Sequence, residues 1–290
     1  MEEMNIEEIS LALKGKIFNC DNGISITGVS TDSRSISFGE LFIPIKGLNF
    51  DGHDFIEDAV LSGASAVLTE KDLSYASFPY IKVKDTKKAL MDLAAYYKSK
   101  FRIPFIAITG SAGKTTTKEM VSSILAESFN VLKNEGNFNN TIGLPLTIFK
   151  LNQQHEVCVL EMGMNSIGEI KSLSTIVKPS IAVITNIGSA HIEKLGSRDN
   201  ILKAKLEVLN YFTSEDIAIL NGDDDMLSSV KDNCLNIVRV GTEVGNHIYA
   251  KDIRTMDDKG VEFSTYINGD FHDFYIPIIG THNVYNALFA

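Results

Sequence analysis

The sequence predicts an α/β protein of two domains, on three observations. Its 290 residues exceed the usual span of one domain. From Pro104 onward, short β-rich runs alternate with helical patterns, the signature of βαβ units around a parallel sheet. Before about Asp85, short apolar runs are instead separated by Gly- and Asp-rich turns. The expectation is a small N-terminal α/β domain over residues 1–85. A central domain of P-loop type follows over 86–290, with a mostly parallel sheet and an antiparallel β extension.

Along the first domain, residues 41–45, 66–68 and 80–83 are the apolar runs that read as strands. A helix follows, which Thr86 can cap, with Leu90, Leu93, Ala94 and Tyr97 at helical spacing. In the second domain, strands are predicted over 105–109, 157–160, 181–185 and 217–220. These runs end in Gly110-Ser111, Glu161, Asn186 and Asn221. In open parallel sheets the ligand sits beyond the carboxyl ends of the strands, so these residues are expected to line one crevice. After about Ile237 the texture turns to strand-turn-strand, with Asp257-Asp258-Lys259-Gly260 and Asn268-Gly269-Asp270 as turn signals. A last helix opens at Thr281-His282-Asn283 and stops at Ala290 without a tail, which predicts a cut rather than a finished terminus.

Composition excludes several classes. Hydrophobic residues at 44% and charged residues at 22% suit a chain that buries a core, not a disordered or coiled-coil one. The net charge of −10 is spread along the chain, with no basic cluster to displace counterions, so no nucleic-acid partner is expected. Cys20, Cys158 and Cys234 are an odd number without a Cys-x-x-Cys pair, which argues against a disulfide framework or a zinc site. The acidic start Met1-Glu2-Glu3-Met4 is unlike a signal peptide, and no apolar run approaches the ~18 residues of a bilayer span. A cytoplasmic monomer without membrane insertion is expected.

The strongest local signal is Gly110-Ser111-Ala112-Gly113-Lys114-Thr115, between the strand at 105–109 and an amphipathic helix predicted over 116–129 through Met120, Val121, Ile124 and Leu125. Glycines let backbone N–H groups turn toward a phosphate, and the helix N-terminus adds about half a positive charge. In such loops the lysine, here Lys114, reaches the outer phosphates, and the hydroxyl, here Thr115, takes a Mg²⁺ position. The strict pattern lacks its first glycine, since Ile108 stands there. A nucleoside triphosphate is the expected ligand.

Other residues carry two readings each. Glu161 is either a solvated strand-end acid or a Mg²⁺ ligand beside the loop. His191, in Gly188-Ser189-Ala190-His191, is a loop histidine of structural or ligating use. On a helix predicted over 198–212, Ile201, Lys205, Val208 and Phe212 share one face, so Lys205 points with the apolar stripe. Its head either snorkels to water or serves the site, since a buried ammonium is costly. Asn283 and Asn286, spaced i, i+3, put two amides on one face, although Asn283 also suits a helix start. Asn137, Asn139 and Asn140 form either an asparagine-rich turn or a substrate contact.

The stretch Thr109 to Lys118 (T-G-S-A-G-K-T-T-T-K) resembles the phosphate loop of the Mur ligases of peptidoglycan synthesis. Four further stretches carry the same resemblance: Thr31-Asp32-Ser33-Arg34 with Leu41-Phe42 and Gly47 to Phe55; Asn134 to Pro145; Leu160 to Asn165; and Gly280 to Ala290. The resemblance implies an N-terminal UDP-binding domain, with Ser33 and Arg34 toward the UDP part. It implies ATP held by Gly110, Ser111, Ala112, Gly113, Lys114, Thr115 and Thr116, and adenine by Asn283 and Asn286. Asn137, Asn139 and Asn140 would meet the sugar-nucleotide substrate or the phosphates. Mg²⁺ ions would be held by Thr115, Glu161, His191 and a carbamylated Lys205, with Lys114, Lys205, Glu161 and His191 as the catalytic set. Leu160 to Asn165 and Asn134 to Pro145 point to the member that joins UDP-N-acetylmuramoyl-tripeptide to D-alanyl-D-alanine. The alternatives are the sister enzyme that adds a diamino acid to the dipeptide precursor, and a nucleotide-binding module without catalysis. The family's third, C-terminal domain would lie beyond Ala290, so this chain is expected to be poor or inactive as a ligase by itself.

Overall fold

The computed structural model describes every residue except Asp21, Asn22, Leu48 and Asn268. The turn expected at Asn268-Gly269-Asp270 therefore lies partly outside the described residues. Two compact units form. The first is Met1–Arg102 with Thr141–Gln153, and the second is Ile103–Asn140 with Gln154–Ala290.

In the first unit, the strands Gly28–Ser30, Glu40–Phe42, Ala66–Thr69 and Tyr80–Lys82 run parallel, and Lys16–Phe18 adds an antiparallel edge beside Tyr80–Lys82. Phe42, Ile56, Ala59, Val67, Leu73 and Tyr80 fill its core.

The boundary differs from the expected Asp85. The helix Thr86–Lys98 belongs to the first unit because its apolar stripe (Ala89, Leu90, Leu93, Ala94, Tyr97) is buried there, against the helices Ile6–Leu13 and Gly143–Ile148. Asp85, not Thr86, caps it by accepting the Lys88 N–H at 2.8 Å. Thr86 is the first helical residue, and its N–H and hydroxyl both donate to Glu70. Residues 141–153 join this unit from far along the chain, which no local pattern announces. Tyr97 fastens them: its hydroxyl donates to the Leu151 carbonyl at 2.6 Å and accepts the Glu2 N–H at 2.6 Å.

Among the described residues, the second unit is built on nine strands. They are β1 (Phe105–Thr109), β2 (Val131–Lys133), β3 (Val157–Glu161), β4 (Ile181–Ile184), β5 (Ile217–Asn221), β6 (Asn236–Gly241), β7 (Ile248–Thr255), β8 (Val261–Ile267) and β9 (Asp270–Ile276). The sheet order is β9-β8-β7-β6-β5-β4-β1-β3-β2, parallel from β2 through β7 and antiparallel at β7-β8-β9. Both faces of a parallel sheet are covered by its crossovers, which is why β1 and β3 are buried at every position. Four helices matter for the site: α1 (Lys114–Ala126), α2 (Glu169–Val177), α3 (Arg198–Leu206) and α4 (His282–Leu288).

Two helices depart from the sequence pattern. α1 starts two residues before the expected 116, because Gly113 in the left-handed region already turns the chain into the helix. α3 stops at Leu206, short of 212: a 3₁₀ turn, Glu207–Leu209, takes over. There the Glu207 carboxylate leaves the helix direction to accept the Gly168 and Lys171 N–H groups at the start of α2.

Replacing Tyr97 by Phe removes only the hydroxyl and leaves the Leu151 carbonyl and the Glu2 N–H unpaired. We expect a loss of about 1–3 kcal/mol in denaturant unfolding of the first unit. An unchanged midpoint would mean that Tyr97 does not hold residues 141–153 in place.

Candidate active site

The register of the parallel strands assembles the site. Ile108 of β1 is opposite Glu161 of β3, and Thr109 is opposite Ile184 of β4. The residues just past these ends therefore meet at one edge, as expected for Gly110-Ser111, Glu161, Asn186 and Asn221. Asn221 Nδ2 donates to the Thr185 carbonyl at 3.0 Å, which ties β5 into the same edge.

The loop from Gly110 to Gly113 turns between β1 and α1. Gly113 has φ +79°, where any side chain is strained, and a Cβ there would sit 2.7 Å from Asn286 Oδ1. A Cβ on Gly110 would lie 1.9 Å from the Thr185 hydroxyl oxygen. Asn186 grips the first half of the loop: its Oδ1 accepts the Ser111 N–H at 3.1 Å and the Ala112 N–H at 2.9 Å. Thr185 Oγ1 donates to the Ala112 carbonyl at 2.6 Å. The first intrahelical bond of α1 runs from the Thr117 N–H to the Gly113 carbonyl. The N–H groups of Lys114, Thr115 and Thr116 thus have no acceptor within the helix and face outward at its positive end. Lys114 Nζ donates to the Gly110 carbonyl at 3.0 Å, arched over the loop.

Glu161 ends β3 with only 3% of its surface exposed. Its Oε2 accepts from Thr115 Oγ1 at 2.8 Å, and its Oε1 accepts from Asn139 Nδ2 at 2.8 Å. The solvated strand-end reading is thereby excluded.

Two basic side chains, Lys205 and His191, stand within reach of the Lys114 charge. Lys205 on α3 is 2% exposed, so its head does not snorkel. Burial, reinforced by the Lys114 charge, pulls its ammonium down to about 7. His191 is exposed and held at φ +66° as the entry to the short helix Ile192–Leu195. Its basicity is lowered by partial desolvation of the ring and then by Lys205 and Lys114. Basic groups gathered in this way favour an anion beside them.

The remaining expected residues are placed as follows. Asn283 and Asn286 are buried on α4, and their amides are committed within the protein. Thr117 Oγ1 donates to Asn286 Oδ1, Asn286 Nδ2 donates to Asn283 Oδ1, and Asn283 Nδ2 donates to the Ile279 carbonyl. They brace α4 against the first turn of α1 and do not form an open amide edge. Among the three loop asparagines, Asn139 reaches Glu161, whereas Asn137 and Asn140 lie exposed. Ser33 and Arg34 are in the first unit, where they line a cavity of about 840 Å³ with Phe42, Phe50 and Phe55. Arg34 is exposed and forks onto Asp32 at 2.9 and 2.7 Å, which holds that carboxyl at about 2.

Comparison with known proteins bears on this geometry. The Mur ligase middle domain model matches residues 108–290, and the model for the Mur ligase family catalytic domain matches 25–98. The chain belongs to the Mur ligase family. The UDP-N-acetylmuramoyl-tripeptide–D-alanyl-D-alanine ligase of Bacillus subtilis is 40% identical over the whole chain, and its Escherichia coli counterpart 33%. The chain spans 63% and 64% of the lengths of these two relatives. A crystal structure of MurF from Acinetobacter baumannii matches all of the chain, and 64% of its own, with a TM-score of 0.92 at 32% identity. MurF from Thermotoga maritima in complex with ADP matches 90% of this Mur ligase chain, and 61% of its own, with a TM-score of 0.83 at 30% identity.

The residues present fit magnesium. Among the described residues, no group of three or more His, Cys, Asp and Glu gathers as a preformed cage. A carboxylate and a hydroxyl at 2.8 Å are instead the sparse oxygen set that suits Mg²⁺, which keeps waters and leans on substrate phosphates.

The sequence reading of this Mur ligase site missed the residues that support it. Lys118 and Asn134, each 1% exposed, stand behind Glu161. Lys118 shares a helix face with Val121 and Leu125, the same signal that singled out Lys205. Asp223, which accepts from Thr242, Asn246 and Tyr285, was equally unannounced.

Lys205 gives this site a pH signature. The folded chain releases its proton near 7 and the unfolded chain near 10.5, so between those values the unfolded state binds more protons. Stability therefore rises with pH across that window, and the penalty is complete below it. In CO₂-free buffer, Lys205→Met is expected to melt higher than the native chain at pH 7, by a margin that vanishes toward pH 10.5. A margin independent of pH would contradict the buried, depressed ammonium.

Proposed function

We propose that this chain carries the nucleotide and sugar-nucleotide sites of an ATP-dependent ligase that joins UDP-N-acetylmuramoyl-tripeptide to D-alanyl-D-alanine. The observation that carries the reading is the meeting of Lys114, Thr115 and Glu161 at one strand edge, with Lys205 desolvated beside Lys114. The relatives bearing that ligase name are 33% and 40% identical, whereas a ligase that adds 2,6-diaminopimelate is 19% identical and shares the fold alone.

The chemistry is uphill without activation. A tripeptide carboxylate oxygen would attack the γ-phosphorus of ATP, forming an acyl phosphate and releasing ADP. The dipeptide amine would then attack the acyl carbon, and inorganic phosphate would leave as the amine gives up a proton. The first step needs in-line placement and neutralisation of spread charge more than it needs a covalent helper. The Gly113–Thr116 turn would supply N–H groups for the β- and γ-phosphates, and Lys114 would swing from the Gly110 carbonyl to their oxygens. Thr115, Glu161, His191 and Lys205 as its carbamate would hold Mg²⁺. Bound there, it would offset the negative charge of the phosphates and the carboxylate.

The lowered basicity of Lys205 supports the carbamate. Only the neutral amine adds to CO₂, and at neutral pH a lysine near 7 has about half of its population in that form, unlike one at its ordinary value. The product replaces a repelled cation by an oxygen ligand. Partial desolvation of the His191 ring, and then Lys205 and Lys114, lower its basicity, which favours the form with a ring nitrogen able to ligate. Ser33 and the aromatic walls of the first unit's cavity suit the UDP end of the substrate.

Calorimetric titration with UDP-N-acetylmuramoyl-tripeptide, against the dipeptide precursor, tests the substrate. Tighter binding of the tripeptide is expected. Preference for the dipeptide would favour the diamino-acid ligase, and no binding of either to folded protein would favour a bare nucleotide-binding module. In a form of the protein that releases phosphate from ATP in response to D-alanyl-D-alanine, Lys205→Ala is expected to abolish that release. Short carboxylic acids should restore part of it. Full activity of the unsupplemented variant would remove Lys205 from the mechanism.

A further inference from the structure

The mechanism above makes no use of Lys118, the most deeply buried cation of the second unit. Its side chain is 1% exposed, one helical turn beyond Lys114 on α1. An ammonium at that depth is costly unless its donors are taken. Two are: Nζ donates to the Asn134 carbonyl at 2.6 Å and pairs with Glu119 Oε1 at 3.0 Å. The other oxygen of Glu119 binds Lys133, the last residue of β2. Lys118 therefore fixes the chain where β2 ends and the asparagine-rich loop begins.

What it fixes there is the support of Glu161. β2 pairs with β3 only as far as Lys133 opposite Val159, so the ladder stops short of Glu161. The Asn134 side chain continues it. Its Oδ1 accepts the Glu161 N–H at 2.9 Å, and its Nδ2 donates to the Glu161 carbonyl at 3.0 Å. The same Nδ2 also donates to the Phe138 carbonyl at 3.0 Å, which sets the loop that brings Asn139 onto Glu161 Oε1. One buried amide thus holds both backbone groups of Glu161 and shapes the loop that holds its carboxylate. Amides and carbonyls in this role orient a ligand without touching the ion.

We propose that Asn134, anchored by the buried ammonium of Lys118, is a positioning residue for the Glu161 carboxylate. It keeps that carboxylate at the Thr115 hydroxyl and so sets the divalent-cation half of the nucleotide site. One side chain thus bonds to both backbone groups of Glu161. The arrangement separates two functions: the loop N–H groups and Lys114 meet phosphate, whereas Lys118 and Asn134 act on the metal only through Glu161.

This inference rests on the nucleotide reading of the site, and the test distinguishes the two. A fluorescent ADP analogue is titrated into the full chain in Mg²⁺ and again in EDTA, for the native protein, Asn134→Asp, Lys118→Met and Lys118→Arg. Asn134→Asp keeps the shape but places an acceptor against the Glu161 carbonyl, and Lys118→Met keeps the stem without the charge. The gain in ADP affinity from Mg²⁺ should fall about tenfold in both, the usual loss when such a support is removed. Affinity in EDTA should stay at the native value, and Lys118→Arg should recover most of the gain. In a Glu161→Gln background, Asn134→Asp should change the Mg²⁺ gain no further, because its effect passes through that carboxylate.

A native Mg²⁺ gain that survives in both Asn134→Asp and Lys118→Met would overturn the positioning role and leave the nucleotide site intact. So would an equal fall of affinity in EDTA, which would mean general damage to the loop. A native chain that binds ADP equally in Mg²⁺ and EDTA, or not at all, would overturn both readings. If Asn134→Asp melts without cooperativity, the Lys118→Met and Lys118→Arg pair decides by the same comparison.

Discussion

The second unit depends on one constraint, the parallel register of β3, β1 and β4. Because Ile108 is level with Glu161, and Thr109 with Ile184, three successive chain reversals happen at one edge of the sheet. Those reversals supply the phosphate loop, the carboxylate and the Thr185-Asn186 pair. A slip of one residue in any strand would turn Glu161 or Thr109 to the opposite face and dismantle the site. The buried valine, isoleucine and leucine side chains of β1, β3 and β4 hold that register.

Around this edge, polar side chains do the work that backbone ladders do elsewhere. Asn186 ties down the first half of the phosphate loop, Asn134 extends the ladder past β2, and Asn286 closes on the first turn of α1. Each is an amide, which donates and accepts from one planar group and so replaces a peptide unit without adding charge. Charge is confined to a few positions: Lys114 and Lys205 on one side, Glu161 on the other, with Lys118 behind it. The first three are the groups that phosphate, a carboxylate and a divalent cation would bring into balance. Lys205 illustrates the cost of such an arrangement before ligand arrives, since burial, reinforced by the Lys114 charge, pulls its ammonium down to about 7.

Much of this architecture was legible from residue patterns. The strand β1 falls where the apolar run lies, and β3, β4 and β5 agree to within a residue, because a strand buried on both faces leaves an unbroken apolar run. The phosphate loop was legible because Gly113 and Lys114 do their work within five residues of chain. Helical spacing assigned Lys205 to the buried face correctly, and the same spacing would have assigned Lys118. The end of α3 was not legible: what stops it is Glu207 reaching residues nearly forty positions earlier.

The sequence by itself determined the α/β class, the phosphate loop and the acidic strand end beside it, since each is written in contiguous residues with a fixed period or a fixed turn. Only the tertiary structure decided the rest. It assigned residues 141–153 to the first unit through Tyr97, turned Asn283 and Asn286 inward as braces, and put Asn134 and Lys118 behind Glu161. These outcomes depend on which segments become neighbours. A side chain's hydrogen bonds follow from that proximity and from burial, and neither is encoded in its own stretch of chain.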